Sequence, residues 1–146
     1  MKIYLDSCRL QRPFDDKSQI RISLEAEAIL SIIALCESEQ LELLSSEVLV
    51  LETNRISNVV RQENVFEILT LAKKVLMVND EIENHALDLV SNGIMPIDAL
   101  HLAAASQESA DYFCTSDDVL LKKAKKIEGL NTSVVSPLEV IEEIEK

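Results

Sequence analysis

The sequence has no tryptophan, two tyrosines and three phenylalanines. Tyr4, Tyr112, Phe14, Phe66 and Phe113 are therefore its whole aromatic complement, which offers little for the base-stacking surfaces of ordinary single-strand binders. Two glycines and three prolines are too few for long low-complexity linkers or large disordered tails. The three cysteines, Cys8, Cys36 and Cys114, are odd in number, far apart and without a C-x-x-C pair, so reduced thiols are expected and neither a disulfide framework nor a zinc knuckle is. No run approaches the roughly 18 apolar residues of a membrane span. The opening MKIYLDSC sets a charge at Asp6 before an apolar leader core could form. A cytoplasmic protein without membrane association is the expectation.

Positive charge is also scarce. Fourteen basic residues against 26 acidic ones give a net charge of −12, which opposes unspecific adhesion to nucleic acid or anionic membranes. A local basic stripe or a bound divalent cation can reverse that field at one place. Aliphatic residues are plentiful: with 47% hydrophobic content over 146 residues, one domain covering residues 1–146 around a Leu, Ile, Val and Ala core is expected.

Periodicity alternates between strand and helix. KIYLD reads as a buried strand ending at Asp6, followed by a polar loop, SCRLQRPFDDKSQ. From Ser23 onward, Ile29, Ile32, Ile33 and Cys36 recur at helical spacing. LELLSS is a second strand whose Ser45 or Ser46 can cap a helix beginning near EVLVLETNRIS. Val65, Phe66, Leu69 and Ala72 mark a helix over residues 63–74, VLMVN a strand, and Asp80 a cap for a helix running to about Gly93. Pro96 suits the first turn of PIDALHLAAASQ. YFCTS is then a strand, DDVLLKKAKK a helix, TSVVS a strand, and PLEVIEEIEK a terminal helix. This alternation implies a three-layer α/β/α sandwich with a mostly parallel central sheet, and functional groups gather beyond the carboxyl ends of such strands.

Carboxylates occupy those positions. Asp6 ends the first strand, Glu52 lies within a helix, and Asp98 and Asp117 fall in first turns, where the helix N-terminus favours an ionised acid by roughly 0.3–1 kcal/mol. Each alone reads first as a cap or turn residue. Together they would repel one another, by about 4 kcal/mol for unit charges near 4 Å at intermediate dielectric, and a hard cation removes that repulsion. An oxygen donor set without a His/Cys partner set favours Mg2+ or Mn2+ over zinc. Such ions suit phosphodiester hydrolysis.

The segments YLDSC, SEVLVLE, PIDALHLAAA and CTSDDVLL follow the order of the PIN-domain family, and the chain resembles in particular its VapC-type toxins over almost its whole length. The resemblance implies an endoribonuclease using Mg2+ or Mn2+ on single-stranded RNA, leaving a 5′-phosphate and a 3′-hydroxyl. It makes Asp6 and Asp98 the principal metal ligands, with Glu52 and Asp117 completing the pocket directly or through water and Thr115 orienting the last acid. It also implies a homodimer and, for toxins, a small antitoxin partner. Many relatives carry a further acid two residues after the T-x-D aspartate, where this chain has Val119; either Asp118 substitutes or the fourth position is slack. Glu47 and Glu52 lie about 140° apart around a helix and cannot face one pocket equally; the motif selects Glu52.

Lys122, Lys123, Lys125 and Lys126 after Asp117 read first as a solvated face; their location, with Arg9, Arg12 and Arg21 near the first strand, gives the alternative that both clusters flank the pocket and hold RNA phosphates. Arg55 and Arg61 are secondary candidates. His101 lies one helical turn from Asp98 and reads either as a hydrogen-bonding support for that acid or as a packed helix histidine. Asp15 and Asp16 read as turn and capping residues. The second functional reading is a catalytically silent module of the same fold that binds a protein or RNA. A phosphoryl-accepting signalling domain ranks third, because no second acid follows Asp6 and no strand-borne lysine follows the later strands.

Overall fold

The structure is a computed structural model and describes residues 1–145. The chain runs β1 (Lys2–Leu5), α1 (Ser7–Gln11), a single 3-10 turn (Arg12–Phe14), α2 (Ile20–Glu37), β2 (Glu42–Ser46), α3 (Glu47–Asn54), α4 (Val59–Leu69), β3 (Val75–Leu76), α5 (Asp80–Ser91), α6 (Pro96–Gln107), β4 (Tyr112–Cys114), α7 (Asp118–Ala124), β5 (Ser133–Val135) and α8 (Pro137–Glu145). The five strands form one sheet in the order β3-β2-β1-β4-β5, parallel at every pairing, with helices as the outer layers of an α/β/α sandwich. The expected mostly parallel sheet is thus wholly parallel.

The strand order fixes where a site can form. From β1 the chain builds outward to β2 and β3, then returns to lay β4 and β5 on the other side, so the connections leaving β1 and β4 diverge and open a crevice at their carboxyl ends. β1 and β4 pair in register from Ile3↔Tyr112 to Leu5↔Cys114, and their next residues, Asp6 and Thr115, emerge at the same edge. Ile3, Tyr4, Leu5, Phe113 and Cys114 are wholly buried, as strands covered on both faces require. Tyr4 stacks on Phe113 with ring centroids 5.4 Å apart; burying one such aromatic side chain contributes about 1.5–3 kcal/mol.

Local chemistry sets the helix ends. Ser46 resolves the choice between the two serines: its Oγ accepts from Leu49 N–H at 3.1 Å and caps α3. Asn79, not Asp80, caps α5, accepting from Ile82 N–H at 2.9 Å. Gly93 ends the same helix at φ +93, a conformation that only glycine adopts without strain. Pro96 opens α6, where its missing N–H breaks no helical bond. Ala99, Ala103, Ala104 and Ala105 are buried along α6, and their small side chains let the helix lie close to its neighbours.

Several boundaries differ from expectation: the helix expected over residues 63–74 ends at Leu69, and the strand expected at VLMVN is confined to Val75–Leu76. The polar stretch after β1 holds α1, because the Asp6 side chain accepts from Arg9 N–H at 2.9 Å and caps a helix too short to show a period. α2 starts at Ile20, before Ser23, and α4 starts at Val59, where Asn58 accepts from Arg61 N–H at 2.9 Å. The terminal helix was expected to reach Lys146, which lies outside the described residues. All three cysteines are free, and among the described residues no helix is long and apolar enough to cross a membrane.

Candidate metal centre

Four elements deliver the acids. Asp6 lies between β1 and α1, Glu52 in α3, Asp98 at the third residue of α6, and Asp117 as the N-cap of α7. Asp98 registers all of the others: its carboxyl lies above the usual range, first through partial burial, then through the negative charges of Asp6 and Asp117, with Glu52 adding and His101 opposing. Asp6 is also raised, by burial first, against the pull of Arg9 and a hydrogen bond from Thr115. Asp98 thus lies within electrostatic reach of the other three carboxylates.

Protein partners aim most of them. The Thr115 side chain is buried and accepts from Asp117 N–H at 3.2 Å, and it also pulls the Asp6 carboxyl down against the effect of burial, so one side chain acts on the acids of two adjacent strand ends. Asp117 Oδ1 accepts from Val119 N–H at 2.9 Å and Leu120 N–H at 3.2 Å. It is a working cap, placed just before its helix. Glu52 Oε1 hydrogen-bonds His101 Nε2, so the partner of His101 is this glutamate and not Asp98. His101 Nδ1 in turn lies 2.5 Å from the Tyr4 hydroxyl. Glu47 is taken up elsewhere, accepting from Val78 N–H at 2.8 Å beyond β3.

Arg9 departs from the sequence reading by its burial, and the other arginines near the first strand are ion-paired. Arg9 is 4% exposed; it pairs with Glu25 at 3.2 Å and Asp6 at 3.5 Å and donates to Ser116 Oγ at 2.5 Å. It is closed off from any RNA phosphate. Arg12 is committed to Glu25 at 3.2 Å and Asp15 at 3.1 Å, and Arg61 to Asp15 at 2.7 Å and the Phe14 carbonyl at 2.7 Å. Arg21 pairs with Glu25 and Asp118, so Asp118 faces an arginine and does not fill the place that Val119 leaves. Glu25 is pushed up by burial, yet Ser116 and its three arginines outweigh that and hold it below the ordinary range. Of the cations after Asp117, Lys123 donates to the Gly93 carbonyl at 2.8 Å. Lys122, Lys125 and Lys126 are exposed, as is Arg55 at the end of α3.

Sequence reading missed Tyr4, Glu25, Ser46 and Ser116. The first signalled only strand propensity, and the others signalled capping or solvent, since partners up to 107 residues away leave no local pattern.

The donor set fits a hydrated hard cation. All four candidates are carboxylates, their mutual repulsion is expressed at Asp98, and Asp117 and Glu52 each engage one oxygen with the protein and have a second to offer. Among the described residues no three His, Cys, Asp or Glu side chains stand close enough to cage an ion directly.

The comparisons agree with this architecture. Among solved structures, the chain is similar to VapBC2 from Rickettsia felis, determined bound to a DNA fragment from their promoter, with 14% identity, TM-score 0.58, and coverage of 93% of this chain and 98% of that one. It is similar also to VapBC-1 from nontypeable Haemophilus influenzae, with 19% identity, TM-score 0.54, and coverage of 87% and 95%. At these identities the likeness concerns the fold. No curated protein matches in sequence. The model of the PIN domain matches residues 3–126, a span that takes in all four acids, the Thr115 bridge and both strands flanking the crevice, and the chain belongs to the PIN domain family.

Proposed function

We propose that this protein is a metal-dependent endoribonuclease, and the observation that carries the reading is the convergence of Asp6, Glu52 and Asp117 on Asp98. Asp6 and Asp98 are the principal cation ligands, with Glu52 and Asp117 acting directly or through water. A bound Mg2+ or Mn2+ supplies Lewis-acid polarisation of a phosphate oxygen and a more acidic water at neutral pH. The chain's own residues supply placement. Thr115 spaces Asp6 from Asp117, Arg9 partly offsets the buried Asp6 charge, and His101 holds Glu52. Water adds to phosphorus, the bond to the 3′-oxygen breaks, and the products are a 5′-phosphate and a 3′-hydroxyl.

Substrate must approach against a charge of −12. Exposed Lys122, Lys125 and Lys126 follow the Asp117 cap and Arg55 follows the Glu52 helix, so positive charge stands on two elements that also bear acids. We take these residues as the phosphate contacts, which supply affinity and register without sequence information. The fold shared with the two VapBC structures supports a role as the toxin of a toxin–antitoxin pair with a small antitoxin protein; a homodimeric state is part of the same proposal.

The test is cleavage of an end-labelled single-stranded RNA with and without Mn2+. Mn2+-dependent internal cuts, lost in Asp6→Asn and Asp98→Asn, support the reading; full activity in either variant overturns it. A second reading, a catalytically silent PIN-like binding module, draws on the open spacing of the acids and on Val119. Absence of Mn2+ binding by the wild-type chain would select it.

A further inference from the structure

A line of polar groups crosses the largely apolar core beneath the acids. Tyr4, Ser46 and His101 are 0–2% exposed and come from β1, the end of β2 and α6. The Tyr4 hydroxyl lies 2.7 Å from Ser46 Oγ and 2.5 Å from His101 Nδ1, and His101 Nε2 meets Glu52 Oε1. Leu49 N–H donates to Ser46 Oγ. A phenylalanine and a leucine would fill the same space, and buried polar groups are tolerated only when paired. This chain is paired throughout and ends on one carboxylate.

Its direction follows from donor and acceptor chemistry. With the Nε2 hydrogen pointing at a Glu52 oxygen, a ring carrying one hydrogen leaves Nδ1 as an acceptor. Tyr4 O–H then donates to Nδ1, and Ser46 O–H to the Tyr4 oxygen, while Ser46 keeps a lone pair for Leu49 N–H. One arrangement satisfies every atom. The imidazole is held at both nitrogens and packed edge-on against the Tyr4 ring at 5.5 Å, itself stacked on Phe113.

We propose that Ser46, Tyr4 and His101 are positioning residues for the reaction: they fix the imidazole tautomer so that His101 grips Oε1 of Glu52 and leaves Oε2 to the cation. None of them touches substrate. The inference rests on the reading of Glu52 as a member of the cation site. It assigns to two residues with no surface exposure a share of cation affinity, since the groups that orient a ligand typically contribute 10- to 100-fold.

The test is calorimetric titration of Mn2+ into the full chain, with apo melting temperatures as the check on folding. His101→Leu is expected to weaken Mn2+ binding about 10- to 100-fold, and Tyr4→Phe to weaken it in the same direction by less. His101→Gln, whose amide can accept from Tyr4 and donate to Glu52, should recover most of the loss. In a Glu52→Gln background His101→Leu should have no further effect, because the relay acts only through that carboxylate. Wild-type affinity in both Tyr4→Phe and His101→Leu, in a protein whose Asp98→Asn variant has lost Mn2+, overturns the relay and leaves the cation site standing. An equal loss from His101→Leu with or without Glu52 also overturns it, as a purely structural effect. Failure of the wild-type chain to bind Mn2+ removes the site and the relay together. Should His101→Leu not fold, Tyr4→Phe, which keeps the ring, decides alone: a weakening that Glu52→Gln abolishes supports the relay, and unchanged affinity refutes it.

Discussion

Replacing Arg9 with methionine tests how the site is braced. The guanidinium is buried against Glu25 at 3.2 Å, Asp6 at 3.5 Å and Ser116 at 2.5 Å, so methionine keeps much of the volume and deprives buried Glu25 and half-buried Asp6 of a paired cation. Removing one partner of a buried pair costs about 3–5 kcal/mol. Glu25 retains Arg12 at 3.2 Å and Arg21 at 3.3 Å, which places the expected loss near the low end, about 3 kcal/mol. At roughly 2–4 °C per kcal/mol for a chain of this size, the melting temperature should fall by about 6–12 °C. Thermal and urea unfolding should agree, with an unchanged urea slope showing that the native state stays compact. Adding Glu25→Leu to Arg9→Met should restore part of the loss, because a buried ion pair is often matched by apolar residues of similar volume. The acid at Asp6 adds a pH signature. Its folded value already lies above the unfolded one, so its ionisation destabilises the fold as pH rises through the interval between the two, and losing Arg9 should deepen that decline. A loss below about 1 kcal/mol, the range of exposed pairs, would refute the role given to Arg9.

Asp98→Asn should raise the stability of the metal-free protein at neutral pH by about 0.5–2 kcal/mol, the scale of partly screened like-charge repulsion. The sign follows from its raised carboxyl: the wild type loses stability as pH climbs from the unfolded value through the folded one, and below both the two proteins should differ little. An unchanged or lower neutral-pH melting temperature would contradict the crowding. Asp117→Ala should lose about 0.5–2 kcal/mol with the α7 cap, whereas Asp117→Ser should keep most of that stability and still lose Mn2+ affinity; equal Mn2+ binding by the serine variant would reduce Asp117 to a cap. Charge reversal at Lys122 and Lys126 should raise KM for RNA with kcat little changed and flatten the salt dependence of binding, and a loss confined to kcat would argue against phosphate contact.

The order of elements was legible because it rests on local signals, and the same signals placed Asp6 at a strand end and Asp98 and Asp117 at helix starts. Ser46, Gly93 and Pro96 carry helix ends in their own side-chain and backbone chemistry, and β1 and β4 are short apolar runs that stop at polar residues. What was not legible depends on pairing across the fold. Arg9 and Arg12 carry charge, and charge in a polar stretch reads as solvent or ligand contact; only the return of α2 and the loop after β4 buries Arg9 against Glu25 and Ser116. His101 was assigned to Asp98 by helical spacing, yet α3 brings Glu52 to the same ring from another element. Tyr4 offered a strand-former's signal, and its hydroxyl acquires meaning only once β2 and α6 supply Ser46 and His101.

The most direct test of the account is Mn2+ titration and RNA cleavage measured on the same preparations of the wild-type, Asp6→Asn and Asp98→Asn chains. The account predicts that the wild type binds Mn2+ and cuts single-stranded RNA internally to 5′-phosphate ends, and that both folded variants lose binding and cutting together. Cleavage that persists in Asp98→Asn, or a folded wild type that neither binds Mn2+ nor cuts, would contradict it.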